Sequence, residues 1–231
     1  MHIDIYSDVA CPWCYLGKRR LELALERFDG DVTVRWRPYQ LDPSAPAEPT
    51  PLQPALAAKF GGIDRVRQMN DQLTELGRAA GLDYRFADAQ HVNTFAAHRL
   101  AWYADREGFG SQVVDGLFRA YFTEGRNVAD PAVLLEVGVE AGLDEQALAA
   151  FLASDDGTAE VAEELADARA LGITGVPTYV LDGRYAVSGA QEPETLVDVL
   201  EEVRRRESTL TTLGDNQDGS SATCTDESCT I

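Results

Sequence analysis

The sequence predicts an α/β protein whose strands lie near the two ends of the chain, on either side of an all-helical block. Three observations support this fold class. A strand, a Cys-x-x-Cys pair and a helix open the chain; no convincing strand pattern occurs from about residue 52 to 154; and strand patterns return around the turn Asp182-Gly183. The order β-α-β, helices, then α-β-β-α indicates a sheet domain interrupted by an insertion.

The first segment places two cysteines where a strand passes into a helix. Ile3-Asp4-Ile5-Tyr6 alternates as strands do, and apolar residues at helical spacing follow the motif: Leu21, Ala24, Leu25 and Phe28. Cys11 therefore lies at or just before the first helical turn, where unpaired N–H groups and the helix dipole favour a thiolate. Pro12 suits the first helical position, and Cys14 lies within disulfide reach. This arrangement is that of a redox dithiol.

The next segments lead into the helical block. The β-branched, alternating run 32–39 predicts a second strand, and the Pro-rich run 43–51 predicts a linker and a domain boundary. Several helices follow, with start signals at Asn93 or Thr94, at Asp130-Pro131 and at Asp144. Residues 45–155 are assigned to this insertion.

The C-terminal part returns to the sheet domain. A helix is predicted over 158–171, then a strand to Leu181, a hairpin turn at Asp182-Gly183, a return strand and a last helix from Pro193 to about Arg206. The sheet domain is thus assigned to 1–44 and 156–207. From residue 208 the chain is polar and predicts a flexible tail over 208–231.

Composition excludes some partners. The 231 residues carry 39 acidic against 20 basic side chains, a net charge of -19, and Lys18 and Lys59 are the only lysines. Such a surface repels nucleic acid and anionic membranes and is typical of a high-salt cytoplasm. No apolar run is long enough to span a membrane, and no signal-peptide pattern precedes the first strand. We expect a cytoplasmic protein.

Several motifs together resemble those of DsbA-like proteins of the thioredoxin superfamily, specifically the FrnE type, over about residues 2–206. The matching stretches are Ser7 to Gly17, Asn93-Thr94 with His98-Arg99-Leu100, Gly175-Val176-Pro177-Thr178, and Ser188 to Gln191. This family is similar to 2-hydroxychromene-2-carboxylate isomerases and kappa-class glutathione transferases, which typically carry Ser at the first active-site position. Here both Cys11 and Cys14 are present, which favours disulfide chemistry. The resemblance implies a thioredoxin fold with an all-helical insertion.

The resemblance also implies roles for the motif residues. Cys11 is expected to be an exposed nucleophile that forms mixed disulfides, and Cys14 the more buried resolving thiol. Pro177 is expected to be a cis-proline facing them, and Pro12, Trp13 and Val176 to contact substrate. Trp13 supplies no charge, which favours a milder oxidant, isomerase or reductase. No metal and no prosthetic cofactor is expected; the partners are thiol or disulfide substrates, either proteins or small thiols such as glutathione.

Three further residues remain open between ordinary and functional roles. His98 shares a helical face with Phe95 and Trp102, so it is either a packed, hydrogen-bonded histidine or a substrate-binding residue over the cysteines. Asn93 has the same two interpretations. Asp8 either caps the helix, which is the commoner use, or it raises the pKa of the Cys11 thiol or relays a proton.

The remaining cysteines, Cys224 and Cys229, form a second pair in the tail. By random-coil scaling, the segment from Ser208 to Cys224 spans about 20–24 Å, so this pair is an accessory dithiol that relays electrons, a bridge between subunits in a homodimer, or passive. Two alternatives to a disulfide oxidoreductase remain open. One is a glutathione-dependent isomerase of the 2-hydroxychromene-2-carboxylate type, and the other is a redox-regulated, chaperone-like binding module.

Overall fold

The structure is a computed structural model that describes residues 1–215. Within them the chain forms six strands: β1 (His2–Ser7), β2 (Thr33–Pro38), β3 (Thr50–Pro51), β4 (Gln90–His91), β5 (Thr178–Leu181) and β6 (Tyr185–Ser188). The helices are α1 (Pro12–Leu25), α2 (Leu52–Phe60), α3 (Ile63–Ala79), α4 (Phe95–Arg106), α5 (Gly110–Phe122), α6 (Pro131–Ala141), α7 (Glu145–Leu152), α8 (Thr158–Ala170) and α9 (Pro193–Asp215). Cys224 and Cys229 lie outside the described residues, so their roles stay predictions.

The main sheet has four strands in the order β2-β1-β5-β6. β1 runs parallel to β2, with Ile5 opposite Trp36, and antiparallel to β5, with Ile5 opposite Tyr179. β5 and β6 form the predicted hairpin, and both turn residues, Asp182 and Gly183, have positive φ. Because β1 is central, the loop that leaves its carboxyl end lies over the middle of the sheet.

Helices cover the sheet, and the insertion shares its core. α1 and α9 pack on each other, while α4, α5 and α8 contact β2. The Tyr15 ring of α1 stacks on Phe118 of α5, with ring centroids 5.1 Å apart. One continuous apolar core therefore extends from Ile3 and Ile5 of the sheet to Leu117 of the insertion. The insertion is built into the core rather than tethered beside it.

Local start signals form as the sequence predicts. The Asp130 carboxylate accepts a hydrogen bond from the Ala132 N–H (2.9 Å) at the start of α6, and Asp144 accepts one from the Ala147 N–H (2.8 Å) at the start of α7. No helix of the described residues is long and apolar enough to cross a membrane.

Three local features differ from the sequence predictions. The helical block contains one short strand, Gln90–His91, which pairs with Thr50–Pro51; a two-residue ladder has no periodicity to detect. A separate helix, α2, precedes α3 and ends at Gly61, whose φ is +86°. The last helix continues to Asp215 rather than ending near Arg206. The random-coil estimate of the span from Ser208 to Cys224 therefore does not apply to residues 208–215, which are helical.

Candidate active site

The first turn of α1 holds the two cysteines. Cys11 is the N-cap residue with extended backbone, and Pro12 takes the first helical position. The Cys11 N–H donates to the Asp8 carbonyl (3.0 Å), and the Cys14 N–H donates to the Cys11 carbonyl (3.0 Å). Both cysteines are free thiols in this structure. The backbone thus fixes a dithiol at the amino end of a helix that starts directly above the sheet.

A loop from the other half of the sheet domain faces the dithiol. The Val176–Pro177 peptide bond is cis, and the Cys11 thiol donates a hydrogen bond to the Val176 carbonyl, with Sγ and O 3.7 Å apart. Two hydrogen bonds hold this loop: Thr178 Oγ1 donates to the Gly175 carbonyl (2.8 Å), and the Gly189 N–H donates to the Pro177 carbonyl (2.8 Å). Residues that are distant in sequence therefore form one compact site.

The exposure predicted for Cys11 is wrong. The residue is only 4% exposed, because the Val176 carbonyl lies against its sulfur and the helix start packs onto the core. Cys14 is more deeply buried, at 1%, as the sequence predicts. Trp13, between them, is 38% exposed and presents its ring at the surface of the site, while Pro12 is partly buried.

The surroundings of Cys14 keep it protonated. Burial raises the pKa of the Cys14 thiol well above its usual range, and the neighbouring Cys11 raises it further. Smaller effects of the Asp8 backbone and the Ser7 side chain lower the pKa of Cys14, but they do not offset the burial. Cys14 is therefore a thiol at neutral pH in the reduced protein.

Helix α1 approaches the Pro177 loop through a glycine. A Cβ added at Gly17 would overlap the Tyr179 hydroxyl and lie 2.9 Å from Pro177 Cγ. The Tyr179 hydroxyl is buried and has no hydrogen-bond partner among the described residues. A turn farther along α1, buried Arg20 donates to the Ala190 carbonyl (2.6 Å). The helix is thus fixed against the loop by close packing at one point and a hydrogen bond at another.

The helical insertion also contacts the dithiol. The Tyr84 hydroxyl, from the segment after α3, donates to the Pro12 carbonyl (2.6 Å). Its ring lies edge-on to Tyr15, 5.6 Å between centroids, and stacks on Phe86. Burial, and then the nearby Cys11, raise the pKa of Tyr84 far above its usual range, so the hydroxyl remains a donor. The insertion therefore holds the helix start in place.

Asp8 and His98 form a buried pair beside the motif. Asp8, 2% exposed, accepts hydrogen bonds from the N–H groups of Leu41 (2.7 Å) and Ala10 (3.3 Å). His98 Nε2 lies 3.4 Å from Asp8 Oδ1 and makes no hydrogen bond with any described residue. Asp8 thus organises the loop before α1 without being its N-cap, and His98 is packed against it.

Asn93 lies in a different network from the cysteines. Its side chain accepts from the Phe95 N–H (2.9 Å) and from Gln40 Nε2 (3.1 Å), and donates to the Pro43 carbonyl (3.1 Å). It ties the start of α4 to the linker, and its role in substrate binding stays a prediction. Ser7, Tyr84 and Tyr179 contribute to the site but were missed, because single polar residues in strands or loops carry no pattern. Among the described residues, no cluster of three His, Cys, Asp or Glu side chains forms a metal site.

A thioredoxin-type sheet, a Cys-x-x-Cys at a helix start, a facing cis-proline and a helical insertion define a DsbA-like member of the thioredoxin superfamily. The chain belongs to the DSBA-like thioredoxin domain family, whose model matches residues 2–201. This confirms the resemblance and the fold class inferred from the sequence.

Comparisons with solved structures agree with this assignment. The chain is similar to a probable DsbA oxidoreductase from Streptomyces coelicolor, with 38% identity and a TM-score of 0.82 over 87% of this chain and 89% of that one. It shares its fold with a 2-hydroxychromene-2-carboxylate isomerase (20% identity, TM-score 0.65, 91% and 99% covered). The chain also shares its fold with the cytosolic disulfide reductase DsbM from Pseudomonas aeruginosa, with 23% identity and a TM-score of 0.62 over 89% of this chain and 99% of that one. A structure of DsbM with glutathione is known.

Proposed function

We propose that this protein is a thiol–disulfide oxidoreductase that works through a mixed disulfide on Cys11. The observation that carries the proposal is the juxtaposition of Cys11, at the start of a helix, with the Val176 carbonyl of the cis-proline loop (3.7 Å). A helix start favours thiolate chemistry, and the loop offers main-chain groups to an extended substrate. The family assignment supports the same reaction class.

The exchange proceeds in two balanced steps. In the reducing direction, the Cys11 thiolate attacks one sulfur of a substrate disulfide, forms the mixed disulfide and releases one substrate thiolate. Cys14 then loses its proton and attacks Cys11 Sγ, which releases the second substrate thiolate and leaves the Cys11–Cys14 disulfide. Two electrons have passed from the dithiol to the substrate. The oxidising direction is the reverse of these steps.

The test is capture of the intermediate. Cys14→Ala should accumulate a mixed disulfide at Cys11, detected by mass spectrometry, whereas Cys11→Ser should abolish exchange. The reduction potential of the pair, measured against glutathione buffers, gives the direction of electron flow. Full exchange activity in Cys11→Ser would end the proposal. Conversion of a chromene-type substrate by Cys14→Ala would instead favour the isomerase, and suppression of aggregation by a protein without working cysteines would favour a chaperone-like module.

Glutathione is the small thiol we propose as a co-substrate. Support comes from the glutathione complex of the similarly folded disulfide reductase and from the exposed Trp13 ring beside Cys11. Glutathione disulfide mixed with Cys14→Ala should yield a glutathione adduct at Cys11. A Trp13→Ala variant should form it more slowly, while Phe60→Ala, which removes a similarly exposed apolar side chain on α2, should leave the rate unchanged.

The second cysteine pair is proposed as an electron relay to Cys11 and Cys14. The sequence supports a relay, because Cys224 and Cys229 are the only other cysteines and form a close pair. We further propose that the protein works in the cytoplasm. A Cys224→Ser, Cys229→Ser double variant should keep single-turnover chemistry at Cys11 but lose multiple-turnover rate with a protein disulfide substrate. Unchanged multiple turnover would show that the pair is passive.

A further inference from the structure

Tyr84 is held firmly within the helical insertion. It lies between α3 and β4 and is only 5% exposed. On one side of it the Arg85 N–H donates a hydrogen bond to the Phe122 carbonyl (2.7 Å). On the other side Thr123 Oγ1 donates to the Asp83 carbonyl (2.7 Å). The backbone on both sides of Tyr84 is therefore tied to the end of α5.

Packing also fixes the direction of the Tyr84 side chain. Its ring lies edge-on to Tyr15, with 5.6 Å between centroids, and edge-on to Phe122, with 5.4 Å. The same ring stacks on Phe86 at 5.0 Å. Helix α3 approaches as well, because a Cβ added at Gly77 would lie 2.4 Å from Tyr84 Cε2. The hydroxyl at the end of this ring has little freedom in where it points.

The hydroxyl points at the turn that carries the dithiol. It donates to the carbonyl of Pro12 (2.6 Å), the first helical residue after Cys11. Within the turn itself, the N–H groups of Cys14 (3.0 Å) and Tyr15 (3.3 Å) donate to the Cys11 carbonyl. Within residues 1–215, the Tyr84 bond is the only hydrogen bond that joins the insertion to the backbone of residues 11–14.

We propose that Tyr84 is a positioning residue that holds Cys11 and Cys14 in the geometry for closing their disulfide. The inference rests on the proposed function. In the closing step, the Cys14 thiolate forms a bond to Cys11 Sγ, and the electron pair of the mixed disulfide leaves on the substrate thiolate. An intramolecular step of this kind is faster and more favourable when the reacting atoms are already held together.

The Tyr84 bond matters more in the dithiol than in the disulfide. In the disulfide form, a covalent ring fixes the turn from Cys11 to Cys14. In the dithiol form that ring is absent, so the turn depends on the helical hydrogen bonds and on Tyr84. Loss of the Tyr84 bond therefore frees the dithiol more than the disulfide, and closure then has to fix more of the chain.

The experiment compares Tyr84→Phe with the parent, both in the full-length chain with Cys224→Ser and Cys229→Ser. The first measurement is the reduction potential against glutathione buffers. The second mixes the reduced protein with an aryl disulfide that releases a coloured thiolate. Attack by Cys11 releases the first thiolate, and attack by Cys14 on the mixed disulfide releases the second, so the two steps are timed separately.

Tyr121→Phe is the matched control. Tyr121 is also buried and lies edge-on to Phe122, with 4.7 Å between centroids, but its hydroxyl has no hydrogen-bond partner among the described residues. A second variant, Thr123→Val, loosens Tyr84 without altering it, because it removes the bond to the Asp83 carbonyl. It also keeps the test valid if Tyr84→Phe does not fold, which far-ultraviolet circular dichroism reports.

The expected effect is confined to closure. Tyr84→Phe should slow the second phase roughly threefold, since part of the entropy of fixing one residue is no longer prepaid. The equilibrium constant for closure should fall by the same factor, which raises the potential by about 14 mV. The first phase should keep the parent rate. Thr123→Val should act in the same direction and add nothing to Tyr84→Phe, and Tyr121→Phe should match the parent.

An unchanged potential and second phase in both Tyr84→Phe and Thr123→Val would overturn the proposal, because a bond that stabilises both redox forms equally is merely structural. An equal slowing of the two phases would also overturn it, since it would indicate a general disturbance of the site. Failure of the proposed function is distinguishable, because the parent protein itself would then release no second thiolate.

Discussion

The contact between α1 and the Pro177 loop allows a sharp prediction at Gly17. An alanine Cβ there would overlap the Tyr179 hydroxyl and lie 2.9 Å from Pro177 Cγ, well inside ordinary van der Waals contact. Overpacking of this kind costs about 1–3 kcal/mol, whereas Gly-to-Ala within a helix gains about 1 kcal/mol. Because Gly17 is buried between two fixed elements, we expect the upper part of the overpacking cost, about 2–3 kcal/mol, so that Gly17→Ala lowers the free energy of unfolding by about 1–2 kcal/mol.

The Tyr179 hydroxyl provides the compensating change. It is buried and unpartnered among the described residues, so Tyr179→Phe should be neutral or stabilise the protein by about 1 kcal/mol. In that background the hydroxyl overlap disappears and only the Pro177 contact remains. Gly17→Ala should then cost about 1 kcal/mol less than in the parent, a coupling measured by a double-mutant cycle.

Urea unfolding of the reduced protein at fixed salt measures these differences. Gly175→Ala is the matched control, because it lies in the same loop but an added Cβ would meet no atom within 4 Å. Its unfolding midpoint should not fall. A stabilised Gly17→Ala, or the same loss with Phe at position 179, would refute the packing argument.

Three other perturbations test separate features. Because the pKa of Cys14 is raised in the folded protein, Cys14 keeps its proton at a pH at which the unfolded chain has lost it. The reduced protein should therefore lose stability as the pH rises above the pKa of an unfolded cysteine, about 8.5. The disulfide form should lose less, and urea midpoints measured over this pH range would show the difference. Arg20→Lys should lower the free energy of unfolding by about 1–2 kcal/mol, since buried Arg20 donates to the Ala190 carbonyl and to Glu192 (both 2.6 Å). Arg27 is exposed and pairs with Glu194, so Arg27→Lys should change the free energy of unfolding by less than about 0.5 kcal/mol in thermal unfolding. Equal losses in the two variants would contradict this prediction. The net charge of -19 predicts a higher unfolding midpoint in molar than in millimolar salt, and an unchanged midpoint would exclude a salt-dependent surface.

Much of the fold could be predicted because its signals are local. Asp130-Pro131 and Asp144 start helices through their own carboxylates, and Asp182-Gly183 makes the turn its residue types favour. The β3–β4 pair could not be predicted, because Thr50–Pro51 and Gln90–His91 are brought together by the tertiary fold.

The candidate site likewise has features that a local sequence pattern predicts and features that depend on contacts with distant residues. Cys11 and Cys14 are adjacent in a motif, so their helical geometry follows from spacing. The burial of Cys11 depends on Val176, which lies 165 residues away in the sequence, and no local pattern encodes it. Tyr84 was missed for the same reason, since it matters only through the Pro12 carbonyl that it touches in three dimensions.

The hydrogen bond from Cys11 to the Val176 carbonyl exists only while that sulfur carries a proton. Once the sulfur enters a disulfide, the carbonyl is free to accept an N–H group from a bound peptide. The oxidised protein therefore offers one acceptor more than the protonated, reduced one. A hydrogen bond of about 1 kcal/mol corresponds to roughly fivefold in affinity. After an oxidising turnover, protonation of the released Cys11 thiolate would restore this hydrogen bond to the Val176 carbonyl, remove that acceptor from the bound product and favour the departure of the product.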